Sequence, residues 1–317
     1  MPEMRELREI FASAVKEKRL PHAVLIEGEK GTGRTELALW LCRALLCEKK
    51  EGTPCESCAP CKKIASGNHP DVEIVRGGGG ARSFHIEEVR NIRESVWLSP
   101  SEAEERVYVL LEIGEMGIEA QNALLKTLEE PPRHARFVMT CENRFALAET
   151  IVSRSSVYTL DAPVPAECET LLRERFPAEK PEDLALAAAV FGGNFGAASE
   201  ALSTPEGMAL PRLAANTPGM LGGGELYGLM AELSASAKTR ETFDLYLRRL
   251  SEWVGRAAVS GAEGGRLPAG RKVTPAEALR ARELISRARE DLWQNCGIDL
   301  LQSWFCAGMA RIFGGNI

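Results

Sequence analysis

Gly28-Glu29-Lys30-Gly31-Thr32-Gly33-Arg34-Thr35 is the stretch whose reading decides the fold. It follows a short apolar run, Ala23-Val24-Leu25-Ile26, and precedes Leu37-Ala38-Leu39-Trp40-Leu41, whose residue types suit a helix. Strand, glycine loop and helix in that order are the setting of a phosphate-binding loop, Gly-x-x-x-x-Gly-Lys-Ser/Thr. Such a loop turns backbone N–H groups towards phosphate oxygens, and the helix N-terminus adds its positive end. Gly28, Gly33 and Thr35 fit the pattern, Gly31 adds a further glycine, and Arg34 stands where Lys is required. Lys acts there as a compact point charge, and the longer planar guanidinium is not its equivalent. The chain thus carries the fold signal of a nucleotide-binding protein with a fault at its first catalytic position.

Around this loop, strands alternate with helical patterns to about residue 160, the signature of an α/β domain with a parallel sheet. Residues 5–17 read as an amphipathic helix with Leu7, Ile10, Phe11 and Val15 on one face. Arg106-Val107-Tyr108-Val109-Leu110-Leu111-Glu112 reads as a buried strand ending in a carboxylate, where an ATPase of this kind holds its magnesium. A helix spans Met116 to Glu130 and is stopped by Pro131-Pro132; a strand, Phe137-Val138-Met139-Thr140, leads to Cys141-Glu142-Asn143. Gly77-Gly78-Gly79-Gly80 reads as a turn.

At 317 residues the chain has room for two or three domains, and 44% apolar residues supply their cores. Lys and Arg number 39 against 45 Asp and Glu, a net charge of −6. That balance lacks the basic footprint of a protein that holds nucleic acid by itself. The polar N-terminus and the lack of a long apolar run point to a cytoplasmic protein without a membrane span. Nine cysteines in such a chain favour metal ligands and buried thiols over a disulfide framework. Cys47, Cys55, Cys58 and Cys61 have the spacing C-x7-C-x2-C-x2-C, with Pro54, Ser57 and Pro60 as turn formers. Four thiolates complete a tetrahedral, closed zinc site, structural rather than catalytic. Cys42, on the preceding helix, competes with Cys47 for the place of first ligand and is expected to pack in the core instead.

Leu20-Pro21-His22, the four cysteines, His69-Pro70-Asp71, the run from Asn122-Ala123-Leu124-Leu125-Lys126 to Pro132, and Ser153-Arg154-Ser155 together resemble a bacterial DNA polymerase III clamp-loader subunit of the AAA+ class. The resemblance implies a P-loop AAA+ domain over 1–162 with a zinc knuckle at 47–61, a small helical lid over 163–205, and an all-α collar over 206–317. It implies a hetero-oligomer of five subunits, with delta and tau/gamma as partners. That ring places a sliding clamp on primer-template DNA during replication. The family holds two kinds of subunit, the ATP-hydrolysing tau/gamma type and the delta-prime type, which has lost the catalytic residues.

The departures place this chain nearer delta prime. Arg34 replaces the P-loop Lys. Counting back from Asn122, Leu111 takes the place of the magnesium-binding Asp, unless a slip of one puts Glu112 there. Ala197, in Gly192-Gly193-Asn194-Phe195-Gly196-Ala197-Ala198, takes the place of a phosphate-sensing Arg. Three losses in one phosphate site argue against hydrolysis and weaken the case for ATP binding at the degenerate set Gly28, Gly31, Gly33, Arg34, Thr35, Glu112 and Asn143. Arg154 stands where the resemblance implies an arginine finger that acts on a neighbour's ATP, after a strand and a short loop. On residue type alone, Arg154 reads better as a surface arginine that caps a helix or pairs with a carboxylate, and only the place of the motif favours the finger. The rival readings are a tau/gamma-type ATPase and a zinc-containing DNA-binding regulator that keeps a degenerate P-loop.

Beyond the linker Asp161-Ala162-Pro163-Val164-Pro165, three short helical patterns fill 166–204, with Leu184, Ala188 and Phe191 on one face. Phe243, Leu247, Leu250 and Val254 recur at helical spacing, and residues 260–273 read as a Gly-rich basic loop. Thr274-Pro275-Ala276-Glu277 reads as an N-cap with a capping box. Ile298, Leu301, Phe305 and Met309 mark a last helix, and Trp293, Trp304 and Phe305 are expected mainly in a bundle core, with the resemblance to a collar implying that some of these apolar residues face sister subunits.

Overall fold

A computed structural model describes residues 2–77, 86–204, 206–262, 272–294 and 297–314. Its chain divides into two compact units, Met1–Pro163 and Val164–Ile317.

The first unit runs α1 (Pro2–Lys16), β1 (Ala23–Glu27), α2 (Arg34–Leu46), α3 (Ala59–Ala65), β2 (Val72–Arg76), α4 (Ile86–Ser95), β3 (Arg106–Leu111), α5 (Ile118–Glu129), β4 (Ala135–Cys141), α6 (Glu149–Ser153) and β5 (Ser156–Thr159). The strands form one sheet in the order β2-β3-β4-β1-β5, with every pairing parallel. Both faces are covered, as a parallel sheet requires. Alternation along each strand feeds two cores. Leu25, Tyr108, Leu110, Phe137 and Met139 pack with α4 and α5. Val24, Ile26, Val107, Val109 and Val138 pack with α1 and α2. The β1 side chains from Ala23 to Ile26 are fully buried, so truncating Leu25 or Ile26 costs about 2–5 kcal/mol.

Three expectations are corrected here. In α1 the buried face is Met4, Leu7 and Phe11, while Ile10 points to solvent. The strand β3 ends at Leu111, which is buried under α2, and Glu112 lies beyond it in a left-handed conformation (φ 63°). A fifth strand, β5, follows Arg154, so that residue sits between α6 and β5 and not after a strand. Cys42 packs in the core as expected. Of the Gly77–Gly80 turn, residues 78–80 lie outside the described residues.

The second unit is helical: α7 (Pro165–Arg175), α8 (Pro181–Val190), α9 (Phe195–Leu202), α10 (Ala209–Gly222), α11 (Leu226–Ser236), α12 (Arg240–Ala262), α13 (Pro275–Leu292) and α14 (Ile298–Phe313). Pro165 is already helical, which shortens the predicted linker. The helix α12 runs to Ala262, into the predicted basic loop, whose residues 263–271 lie outside the described ones. One apolar cluster joins α7, α8 and α9, and a larger one joins α10 to α14. The helices α10 and α12 belong to both, α10 through Ala215 in the smaller. Phe243, Leu247, Leu250 and Val254 lie in the larger cluster, and Trp253 in the smaller. Arg249 stacks over Phe191, and Arg256 donates to the Val190 carbonyl. The α13 capping box forms as read: Glu277 N–H to Thr274 Oγ1 at 3.2 Å and Thr274 N–H to Glu277 Oε2 at 2.8 Å. Phe305 is core, but Trp293 is 58% exposed and Trp304 38%, against the expectation of an ordinary core position.

Candidate functional site

Because all strands point one way, the loops that follow them collect at one edge of the sheet, the usual place for a ligand crevice. The loop after β1 is the glycine loop, the loop after β3 begins at Glu112, and the loop after β4 carries Glu142 and Asn143. Gly31 (φ 96°) and Gly33 (φ 95°) adopt left-handed conformations, and Gly33 caps α2. Thr32 Oγ1 donates to the Glu29 carbonyl at 2.8 Å. Thr35 is the second residue of α2 and half-buried. The loop therefore has the form of a phosphate cradle.

Its chemistry is different. Arg34 is buried, with its side chain 4% exposed. One guanidinium nitrogen donates to the Gly28 carbonyl at 2.5 Å and the other pairs with Glu112. Glu112 is held from behind, its N–H donating to Thr140 Oγ1 at 3.0 Å. The charge that would meet a phosphate is thus spent inside the protein. The cleft beside it, about 530 Å³, is lined by Glu29, Glu112, Glu115 and Glu142 together with Asn143. Asn143 turns its Oδ1 to the Phe145 N–H at 2.9 Å. With Glu112 taken up by Arg34, three further carboxylates, Glu29, Glu115 and Glu142, face the cleft. The sequence reading named Glu112 but missed the other three carboxylates, which no motif spacing marks. In the second unit, Ala197 lies in the first turn of α9 and donates its N–H to Asn194 Oδ1 at 3.0 Å.

The loops that precede strands collect at the opposite edge. Arg154 caps the C-terminus of α6. Its guanidinium donates to the Thr150 carbonyl at 3.1 Å and pairs with Glu129 Oε1 at 2.7 Å. The surface-pair reading of Arg154 is therefore realised in this chain. His69-Pro70-Asp71 also lies at this edge, just before β2. Asp71 is buried and accepts the N–H groups of Ser101, Glu102 and Ala103 at 2.6, 2.7 and 2.8 Å. Burial pushes its carboxyl up, but the three donors outweigh burial and hold it below the ordinary value.

The four cysteines come together at the end of α2 and the start of α3. Cys47 caps α2, Cys58 caps α3, and their sulfurs and those of Cys55 and Cys61 lie within 4.8 Å of one another. A tetrahedral zinc–thiolate site puts its sulfurs about 3.8 Å apart, from Zn–S bonds of about 2.3 Å. Backbone N–H groups support the sulfurs: Cys55 donates to Cys47 Sγ at 3.4 Å and Cys58 to Cys55 Sγ at 3.3 Å. The Ser57 hydroxyl, with the Ser57 and Cys58 N–H groups, draws the Cys55 thiol down to about 6, whereas burial pushes Cys61 up to about 12. Gly52 (φ 83°) is required between them, since a Cβ there would meet the Ala12 carbonyl at 2.1 Å. The donor set fits a soft or borderline metal ion with no open position.

A family model described as "DNA polymerase III, delta subunit" matches residues 4–163. The chain is 34% identical to DNA polymerase III subunit delta' of Bacillus subtilis over 177 residues, 55% of this chain and 53% of that one. It is 38% identical to subunit tau of the same organism over 143 residues, 45% of this chain and 25% of that one. The chain spans about half the length of the first of these curated relatives and a quarter of the second. A gamma subunit-related protein of DNA polymerase III from Thermotoga maritima aligns over 98% of this chain and 99% of its own, with a TM-score of 0.49 and 18% identity. No described helix is long and apolar enough to cross a membrane.

Proposed function

Since the chain belongs to the DNA polymerase III, delta subunit family, we propose that it is a delta-prime-like clamp-loader subunit that turns over no ATP of its own. It acts in the cytoplasm, in a heteropentamer with delta and tau/gamma subunits, and helps that ring place the sliding clamp on primer-template DNA. In this reading residues 163–205 serve as lid and 206–317 as collar, Arg154 reaches a neighbour's γ-phosphate, and zinc fills the cluster of Cys47, Cys55, Cys58 and Cys61.

The observation that carries this reading is the Arg34–Glu112 pair. Hydrolysis needs a free cation on the β- and γ-phosphates and a carboxylate on magnesium. Here the cation at the P-loop position and the carboxylate beyond β3 neutralise each other, and the residue at the end of β3 is a buried leucine. A tau/gamma-type ATPase is the second reading, favoured by the kinship with tau.

Steady-state ATP turnover by the isolated chain separates the two. The expected rate is at background, and Arg34→Lys alone does not raise it, because Leu111 still leaves magnesium without its ligand. Turnover that disappears in Thr35→Ala establishes the ATPase reading instead. Metal analysis of the same preparation is expected to give one zinc per chain, lost in Cys58→Ser. Metal-free protein, or full retention in that variant, refutes the zinc assignment.

A further inference from the structure

Three stretches that the sequence marks out, Leu20-Pro21-His22, Leu128-Glu129-Glu130 and Ser153-Arg154-Ser155, send residues to one solvent-open groove of about 540 Å³. It is lined by His22, Leu128, Glu129, Glu130, Ser153 and Arg154. They precede β1, β4 and β5 respectively, so the groove lies at the edge of the sheet opposite the glycine loop. Its backbone is fixed from several sides. His22 Nε2 donates to the Leu128 carbonyl at 3.2 Å, which pins the last turn of α5 to the start of β1. The Arg154 N–H and the Ser155 hydroxyl both bond the Ile151 carbonyl, at 3.2 and 2.8 Å. Against this rigid frame only long side chains remain to move.

We propose that Glu129 is a sheath for Arg154: a positioning residue that holds the guanidinium while the chain stands alone and yields it to the terminal phosphate of a nucleoside triphosphate on a neighbouring subunit. This rests on the reading of Arg154 as a residue that acts in trans. The geometry supports both halves. Glu129 Oε1 lies 2.7 Å from one guanidinium nitrogen, and the Thr150 carbonyl and Ser153 hydroxyl lie 3.1 and 3.4 Å from the other. The arginine is therefore parked on its own chain. The pair is open to water, with the Arg154 side chain 35% exposed and that of Glu129 43%. A pair so exposed is weak and screened by salt, so a more highly charged oxyanion displaces the carboxylate at little cost. The carboxylate must leave, because two oxyanions on one guanidinium edge repel each other. His22 sets the resting position by fixing the α5 end from which Glu129 projects.

The test uses the near-isosteric Glu129→Gln, alone and with Arg154→Ala, in the reconstituted assembly. Without the competing carboxylate, the ATP concentration for half-maximal hydrolysis should fall about two- to five-fold while the maximal rate holds. The double variant should match Arg154→Ala alone. A Glu129→Gln assembly that hydrolyses ATP more slowly, or with the same half-saturation, overturns the sheath. If Arg154→Ala itself changes nothing, the trans reading falls and the sheath with it. The resting pair is read separately in the isolated chain by 15N NMR of the Arg154 guanidinium, assigned from its loss in Arg154→Lys. Rotation about its Nε–Cζ bond should quicken in Glu129→Gln, and equal rotation in the two proteins refutes the pairing whatever the assembly does.

Discussion

Arg34 and Arg154 are each paired with a glutamate, and they stand at opposite edges of the same sheet. At the edge where strands end, Arg34 is 4% exposed against a Glu112 that is 22% exposed. At the edge where strands begin, Arg154 is 35% exposed against a Glu129 that is 43% exposed. The chemistry is one guanidinium and one carboxylate in both cases. Burial makes the difference. In the first pair the arginine has given up water, so the carboxylate cannot leave without stranding its charge. In the second each partner can return to water, so the pair is exchangeable. The arginine of the glycine loop is thereby locked, and the arginine proposed to serve another subunit's nucleotide is held loosely.

The contrast fails if the locked pair proves dispensable. Glu112→Ala leaves the buried Arg34 with the Gly28 carbonyl and no counter-charge. We expect it to lower the free energy of unfolding by about 3–5 kcal/mol, read from the urea midpoint at unchanged slope. A loss below about 1 kcal/mol would place both pairs in one class.

A second measurement asks whether burial or the choice of edge decides. Asp71 lies at the loose edge but is buried and satisfied by three N–H groups. Asp71→Asn should cost about 1–3 kcal/mol at neutral pH. Because the folded carboxyl sits below its ordinary value, its contribution is complete above about pH 3.9 and is lost as pH falls through the folded value. The parent chain should therefore lose stability more steeply than Asp71→Asn below about pH 4. Parallel acid-unfolding curves would remove Asp71 from the argument.

The smallest effect sharpens the other side. Glu129→Ala should change unfolding stability by less than about 1 kcal/mol, and molar salt should erase the difference. A larger loss would mean that the Arg154 pair is structural.

The parts legible in the sequence were those set by neighbours in the chain. The glycine loop declares itself because strand, left-handed glycines and helix start lie within a dozen residues. The cysteine cluster declares itself by spacing, since α2 and α3 bring its ends together. The Thr274 capping box is also purely local. What escaped was set by distant partners. Arg34 and Glu112 are 78 positions apart, and only the sheet makes them neighbours. Leu111 and Glu112 could not be told apart by counting; the end of β3 separates them, one under α2 and one beyond the strand. The strand β5 is four residues long, half-buried and at the sheet's margin, so it shows no alternation strong enough to read. Trp293 and Trp304 look like core by composition, and only packing shows that the bundle leaves them outside.

The helix α12 contributes to two apolar clusters at once, with Trp253 in one and Phe243, Leu247 and Leu250 in the other. Close-packed interiors do not deform smoothly, so a rod anchored in two of them cannot rotate in one and stay still in the other. Helix α10 spans both as well, through Ala215, so two rods tie α7, α8 and α9 to the bundle and a shift of either rod is felt in both interiors.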